Sequence, residues 1–258
     1  MSVLADQVYL LARRSVVRTV RQPANVVAPL VFPMLLLAVN SGGLKAETRL
    51  PGFPTTSFVA FALAVPFIQG ALFATMNAGT DLARDIQTGF LNRLSLTPMR
   101  SIALLAGQLG GVVTMAVVQA AVYLIVGFIV GVRLASGPAG IVVLLIFSAL
   151  VALGFGALGA FLALRTGTGE AVQSMFPLLF VFLFISSMNT PRDLIAVDWF
   201  RFLASINPVS YLIECVRSLI ITGWDGQALA LGFGLAVGIG LLSTTIATLA
   251  LKDRLVRT

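Results

Sequence analysis

The sequence has no histidine, a single cysteine (Cys215) and only two lysines, Lys45 and Lys252. Structural zinc and imidazole general-base catalysis both need residues that are missing. A nucleotide-binding loop of the Gly-Lys-Ser/Thr type is excluded too, because Lys45 follows Leu44 and Lys252 follows Leu251. One cysteine forbids an internal disulfide and leaves the redox compartment unread. Charge is also scarce. Asp, Glu, Lys and Arg make up 10% of the 258 residues, against about 25% in a typical soluble domain. Hydrophobic residues make up 58%, and mean hydropathy is +1.00.

Between the few charges lie six long charge-free windows, at 22–44, 50–80, 101–132, 134–164, 171–191 and 226–251. Each exceeds the ~20 residues a helix needs to cross about 30 Å of hydrocarbon. The expected fold is an all-α membrane protein of six transmembrane helices, with no room for a second folded domain. Net charge is +7, which could suggest nucleic acid, but its distribution points elsewhere. With six crossings and a cytoplasmic N-terminus, eleven Lys/Arg fall inside and six outside. That bias follows the positive-inside rule and predicts a multi-pass cell-membrane protein with both termini cytoplasmic and no nucleic-acid partner.

Arg13-Arg14 precede an apolar stretch, but no Ala-x-Ala cleavage site follows and further spans do, so a removable leader is a poor fit. At 100° per residue, Leu4, Val8, Leu11, Ala12, Val16 and Val20 share one half of a helix. Gln7, Arg14, Arg18, Arg21 and Gln22 take the other half. This pattern predicts an amphipathic helix over 2–21 in the headgroup region, ended by Pro23, or else a basic anchor for the first span. The first span is expected over 25–42.

The second expected span, 56–79, carries Gln69, Phe73 and Asn77 at four-residue spacing. Amides in lipid turn towards other helices or line a substrate path, and both readings stay open. The third (103–131) has Gly107-x-x-x-Gly111. The fourth (138–164) has Ser148, Ala152, Gly156 and Ala160, and the sixth (226–251) has Ala228, Gly232, Ala236 and Gly240. Small residues every fourth position let membrane helices approach closely, so these are expected packing stripes. The fifth (171–189) carries Phe176, Phe180 and Phe184 between Met175 and Met188. Its aromatic face could meet lipid or an apolar ligand.

Two segments are not ordinary spans. In 81–100, Leu82, Ile86, Phe90 and Leu94 form one stripe, Gly89 offers a bend, and Thr97-Pro98 stops the run. A short cytoplasmic amphipathic helix is expected, with Asp85, Arg93, Phe90, Leu91 and Leu94 available for contact. In 207–217, Asn207 as N-cap and Pro208 as first helical residue start a helix that Gly223 ends. Tyr211, Glu214 and Arg217 are three apart on one face, where Glu214 can pair with Arg217 or meet a positive group on another helix. At about 14 residues the helix is too short to span, so an interfacial or re-entrant segment is expected, flanked by Trp199 and Trp224 as interface anchors.

Asn207-Pro208-x-x-Tyr211-x-x-Glu214-x-x-Arg217 before the last span resembles the signature of type-2 ATP-binding-cassette (ABC) exporter permeases. The 81–100 segment looks like that family's coupling helix. Thr88-Gly89, Arg93 and Pro98-Met99-Arg100 are most similar to the daunorubicin-resistance branch. The resemblance implies one transmembrane domain over 1–258, with a connecting helix (1–23), a coupling segment (80–100) and an extracytoplasmic re-entrant segment (191–224). It implies a dimer with an identical or homologous permease, and a separate ATPase in two copies that carries ATP and Mg. The chain itself would hold no cofactor and catalyse nothing. Asp85, Gly89, Phe90, Leu91, Arg93, Leu94 and Pro98 would serve ATPase coupling. Gln69, Phe73, Asn77, Phe176, Phe180 and Phe184 would be candidates for the path of an amphiphilic drug, antibiotic or lipid, and a polysaccharide or glycolipid is the alternative cargo. An ion-coupled secondary transporter would place ionisable residues at the bilayer midplane, and the six windows contain none. A serine–histidine intramembrane protease is impossible without histidine.

Overall fold

The computed structural model describes residues 3–95 and 101–257, and among them there is no β-strand. In chain order the helices are α1 (Val3–Val20), α2 (Pro23–Gly43), α3 (Phe58–Ala62), α4 (Ala64–Gln87), α5 (Phe90–Ser95) and α6 (Ser101–Ile129). They continue as α7 (Gly137–Thr166), α8 (Gly169–Ser174), α9 (Phe176–Phe184), α10 (Asp198–Ile206), α11 (Pro208–Ile221) and α12 (Gly226–Arg257). Pro23 does end α1, and it is also the first residue of α2, where a missing N–H costs nothing.

Five helical stretches are long and apolar enough to cross a membrane: Asn25–Gly43, Phe58–Gln87, Ala103–Ile129, Gly137–Thr166 and Gly226–Arg254. They match five of the six expected windows. The remaining one, expected as a span over 171–189, is instead broken at Met175, with Pro177 in the first turn of α9. Helix Gly169–Phe184 is roughly 24 Å long at 1.5 Å per residue, short of the hydrocarbon thickness. The 81–100 expectation also needs correction. The second span runs on as α4 through Asp81 and Asp85 to Gln87, so among the described residues of this segment only Phe90–Ser95 is a separate helix. Gly89, with φ of +68°, makes the break. Thr97 and Pro98 lie outside the described residues.

The bundle is built around α4. The apolar window of Phe58–Gln87 is 89% buried, against 17–50% for the other four. Small residues allow this. A Cβ on Gly159 of α7 would collide with the Thr75 carbonyl oxygen of α4, and one on Gly79 would strike Val172. Gly156 lies against Val112 of α6, Gly154 against Gly240 of α12, and Gly232 against Cys215 of α11. Gly107 and Gly111 receive Leu11 and Ser15 of α1. The small-residue stripes are packing surfaces within one chain. The outward sides of α2, α7 and α12 expose Val31, Leu35, Val142, Ile146, Leu241 and Leu242, as a helix against lipid does.

Proline creates polar work inside this apolar frame. Pro29 and Pro33 lie within α2, so the carbonyls of Asn25 and Pro29 have no amide four residues on. Other helices supply the donors. Asn77 of α4 donates its side-chain amide to the Asn25 carbonyl at 3.4 Å, and the Tyr123 hydroxyl of α6 donates to Pro29 at 2.5 Å. Pro66 likewise has no amide for Ala62, at the junction between α3 and α4.

This carbonyl argument is testable. Tyr123→Phe strands a buried acceptor and is expected to cost about 1–3 kcal/mol. Pro33→Ala restores an N–H to the Pro29 carbonyl and should recover much of that loss. Thermal unfolding of purified protein in detergent measures both, and an undiminished Tyr123→Phe variant would refute the assignment.

Candidate functional site

At the far end of α4, acidic side chains face the arginines of α1. Arg14 donates both guanidinium nitrogens to Asp85, at 3.0 and 2.9 Å, and Arg18 donates to the same carboxylate at 2.9 Å. Arg18 also pairs with the Asp81 carboxylate and donates to its carbonyl, both at 3.0 Å. The Arg14 guanidinium lies 3.9 Å from the centre of the Phe90 ring, the first residue of α5. Hydrogen bonding to Asp85 holds Arg14 above its ordinary pKa despite partial burial. One cluster therefore ties three helices together.

This arrangement reassigns two of the expected contact residues. Asp85 and Leu91 are buried within the chain, so neither is open to a partner. Arg93 is exposed, and a Cβ on Gly89 would meet nothing within 4 Å. Phe90 is half-buried beneath Arg14. The Leu94 side chain and Pro98 lie outside the described residues. Periodicity had placed Arg14 and Arg18 on a polar half of α1, but it could not show that this half turns towards α4.

At the opposite end, Asn207 caps α11 by accepting from the Val209 amide at 2.9 Å. Its own amide donates to the carbonyls of Phe182 and Ile185, at 2.5 and 2.9 Å. The cap thereby fastens α11, which opens with Pro208, to the end of α9. Tyr211 donates to the Ser205 carbonyl at 2.7 Å. The expected Glu214–Arg217 pair does not form. Glu214 instead accepts from Arg192 at 2.7 Å, and Arg192 stacks 4.4 Å from the Tyr211 ring centre.

Arg217 turns inward because that side offers acceptors. It donates to the carbonyls of Phe61, Ser187 and Met188 at 3.0–3.3 Å, and its guanidinium lies 3.6 Å from the Phe61 ring centre. A cavity of about 290 Å³ opens beside Phe61, Arg192, Glu214, Arg217 and Asp225. Sequence reasoning missed Arg192 and Phe61. Phe61 lies in the short helix α3 and Arg192 in the turn Arg192–Leu194, and no period connects either to α11.

The third group is aromatic. Phe73 lies 5.1 Å from Phe176 and 6.3 Å from Phe180, with Phe176 and Phe180 4.7 Å apart. Phe32 of α2 joins at 5.9–6.1 Å, and Phe184 continues the row outward, 6.2 Å from Phe180 and exposed. The two expected stripes thus meet at Phe73. One turn away, Gln69 is 1% exposed, and neither of its amide atoms has a hydrogen-bond partner among the described residues. Asn77 is engaged with α2, as described above. Among the described residues no three cysteine, aspartate or glutamate side chains are grouped as metal ligands would be.

A protein-family profile described as ABC-2 type transporter matches residues 6–221. The chain is 29% identical over 227 residues to a daunorubicin resistance ABC transporter permease protein of Streptomyces coeruleorubidus, covering 84% of this chain and 74% of that protein. It is 25% identical to a protein of Porphyra purpurea described as a transport permease (ycf38), covering 98% and 91%. It is also 30% identical to the protein of the same description in Pyropia yezoensis, covering 84% and 74%.

The α11 cluster gives a double-mutant test. Arg192 and Glu214 are both about a quarter exposed, so the pair should couple by on the order of 1 kcal/mol, as partly screened pairs do. Arg192→Ala, Glu214→Ala and the double variant, compared by thermal unfolding, should show losses that do not add. Arg217→Lys should cost more than either, since an ammonium cannot reach three carbonyls and cover a ring. Additive losses, or an Arg217→Lys variant as stable as wild type, would contradict these geometries.

Proposed function

Because the chain belongs to the ABC-2 type transporter family, we propose that it is the membrane subunit of an exporter that moves an amphiphilic compound outward, driven by ATP hydrolysed on a separate ATPase. It is a membrane permease component and not itself an enzyme. The observation that carries the proposal is the Arg14/Arg18–Asp81/Asp85 cluster, which joins α1, α4 and α5 at one end of the central helix. A push on α5 from a partner would there reach a membrane-crossing helix through the Arg14–Phe90 contact and the ion pair of Arg14 with α4 rather than through a flexible loop. Arg93 and the open backbone at Gly89 are the surface such an ATPase would touch, together with Leu94 and Pro98.

The full proposal has six crossings, with α8–α9 as a broken fifth, and α10–α11 as a re-entrant segment on the outer side. It is one transmembrane domain with both termini cytoplasmic, in the cell membrane, working with a second permease and two ATPase copies. Asn207, Pro208, Tyr211, Glu214 and Arg217 fix the re-entrant segment. Gln69, Phe73, Phe176, Phe180 and Phe184 line the path. An apolar aromatic wall beside one unsatisfied amide suits an amphiphile of the daunorubicin kind better than a polysaccharide, which needs many polar contacts. Ion-coupled transport is disfavoured because the buried carboxylates Asp81 and Asp85 are held by arginines.

Two experiments test this reading. Gly89→Trp places a side chain at positive φ on the exposed turn, and Arg93→Glu reverses its charge. Both should leave insertion intact while reducing copurification of the ATPase and ATP-dependent uptake into inverted vesicles; unchanged values in both variants would remove α5 from the mechanism. Gln69→Leu removes an unpaired buried amide, so thermal stability should hold or rise by about 1 kcal/mol while export falls. Unaltered export would take Gln69 off the path.

A further inference from the structure

We infer that the outward side of α1 is a binding groove for the phosphate headgroup of an anionic membrane lipid. The groove has a volume of about 670 Å³ and is lined by Leu10, Arg13, Arg14, Val17, Arg18 and Arg21. Four guanidiniums thus border one surface depression. Arg14 and Arg18 form its inner wall and reach through to Asp85 and Asp81 of α4, which neutralise them. Arg13 and Arg21 form the outer rim and have no ion pair or hydrogen bond to their side chains among the described residues. From Leu10 to Gln22 the chain contains no acidic residue, and Asp6 lies a turn before the groove. Two positive charges remain uncompensated over a concave surface.

A bare basic strip would normally be read as a solvated face, but apolar side chains share this one. Tyr9, Leu10, Val17 and Val20 are 39–61% exposed. On a helix they alternate with Arg13 and Arg21 over the same half-turn. Water alone does not account for a face that is both apolar and cationic. A lipid in the adjoining leaflet fits both characters, with acyl chains over Leu10 and Val17 and its phosphate between the arginines. A free anion would leave the apolar residues uncovered. Guanidiniums also match phosphate oxygens in pairs, which an ammonium does not.

Position adds a consequence. Arg14 and Arg18 belong both to this groove and to the cluster that holds α4 and α5. A phosphate in the groove adds acceptors for the same guanidiniums and stiffens α1 against the bundle. The inference rests on α1 lying at the membrane surface, so the test separates the two.

The test uses the full chain in lipid nanodiscs, with Trp199→Phe and Trp224→Phe removing the native indoles and Tyr9→Trp placing a reporter beside the groove. Quenching is titrated with brominated phosphatidylglycerol and, separately, brominated phosphatidylcholine. The half-quenching mole fraction should be on the order of tenfold lower for the anionic lipid, as two uncompensated charges near an anionic headgroup imply. Arg13→Gln with Arg21→Gln should abolish that preference while leaving the cluster residues intact. Arg13→Lys with Arg21→Lys should retain much of it. Equal quenching by the two lipids would overturn the groove while leaving α1 interfacial. No quenching by either would overturn the interfacial placement and the groove with it. Loss of the preference on adding inorganic phosphate would show a free-anion site and overturn the lipid assignment.

Discussion

Two carboxylates buried on the central helix cannot stay ionised in an apolar bundle without cations beside them. Asp81 and Asp85 meet that requirement through Arg14 and Arg18 of the first helix, in a cluster of three ion pairs. Much else follows. α1 is held against α6, where Gly107 and Gly111 leave room for Leu11 and Ser15. α5 is held because Arg14 also lies on Phe90. Three elements that sequence alone would assign to a surface helix, a span and a separate cytoplasmic helix become one mechanical unit.

Elsewhere along α2 and α4 a related constraint acts with opposite partners. Breaks in the apolar helices leave carbonyl oxygens without amides, and donors from elsewhere must reach them. Tyr123 and Asn77 serve α2, while Arg217 serves the breaks after Phe61 and around Ser187–Met188. Prolines and helix ends thereby decide where polar side chains go. Asn77, with its place on the Gln69–Phe73 stripe, is used for this purpose, whereas Gln69 is left unpaired. That contrast separates a packing amide from a candidate for substrate contact.

Helix positions and packing stripes were largely legible in the sequence. Charge-free runs locate five crossings, and four-residue spacing of small side chains marks the faces at Gly156 and Gly232 that meet other helices, though not Gly159, which lies off that spacing. The Asn207-Pro208 start and the Gly223 stop also stand as read. What escaped depends on three-dimensional choice. Hydropathy alone passes over the break at Met175 in the fifth window, because composition there stays apolar, although Pro177 is a sequence signal for it. Spacing of three residues permits a Glu214–Arg217 pair, yet the alternative acceptors for Arg217 lie about 30 and 150 residues away along the chain. The inward turn of Arg14 and Arg18 was hidden for the same reason. A basic half-helix looks the same whether it faces water or buried acids.

The account stands on α1 being bound to α4 by charge rather than merely lying beside it. The direct measurement is a double-mutant cycle between Arg18 and Asp85, read by thermal unfolding of the purified chain in detergent. Asp85→Ala leaves Arg14 without its carboxylate and Arg18 with Asp81 alone, and Arg18→Ala leaves Asp81 without its cation, so each single variant should lose stability. The double variant should lose less than the two losses combined, with a coupling of about 1–3 kcal/mol as for contacting charges. Strictly additive losses would mean that the two helices are neighbours without an ionic tie, and the mechanical unit would dissolve.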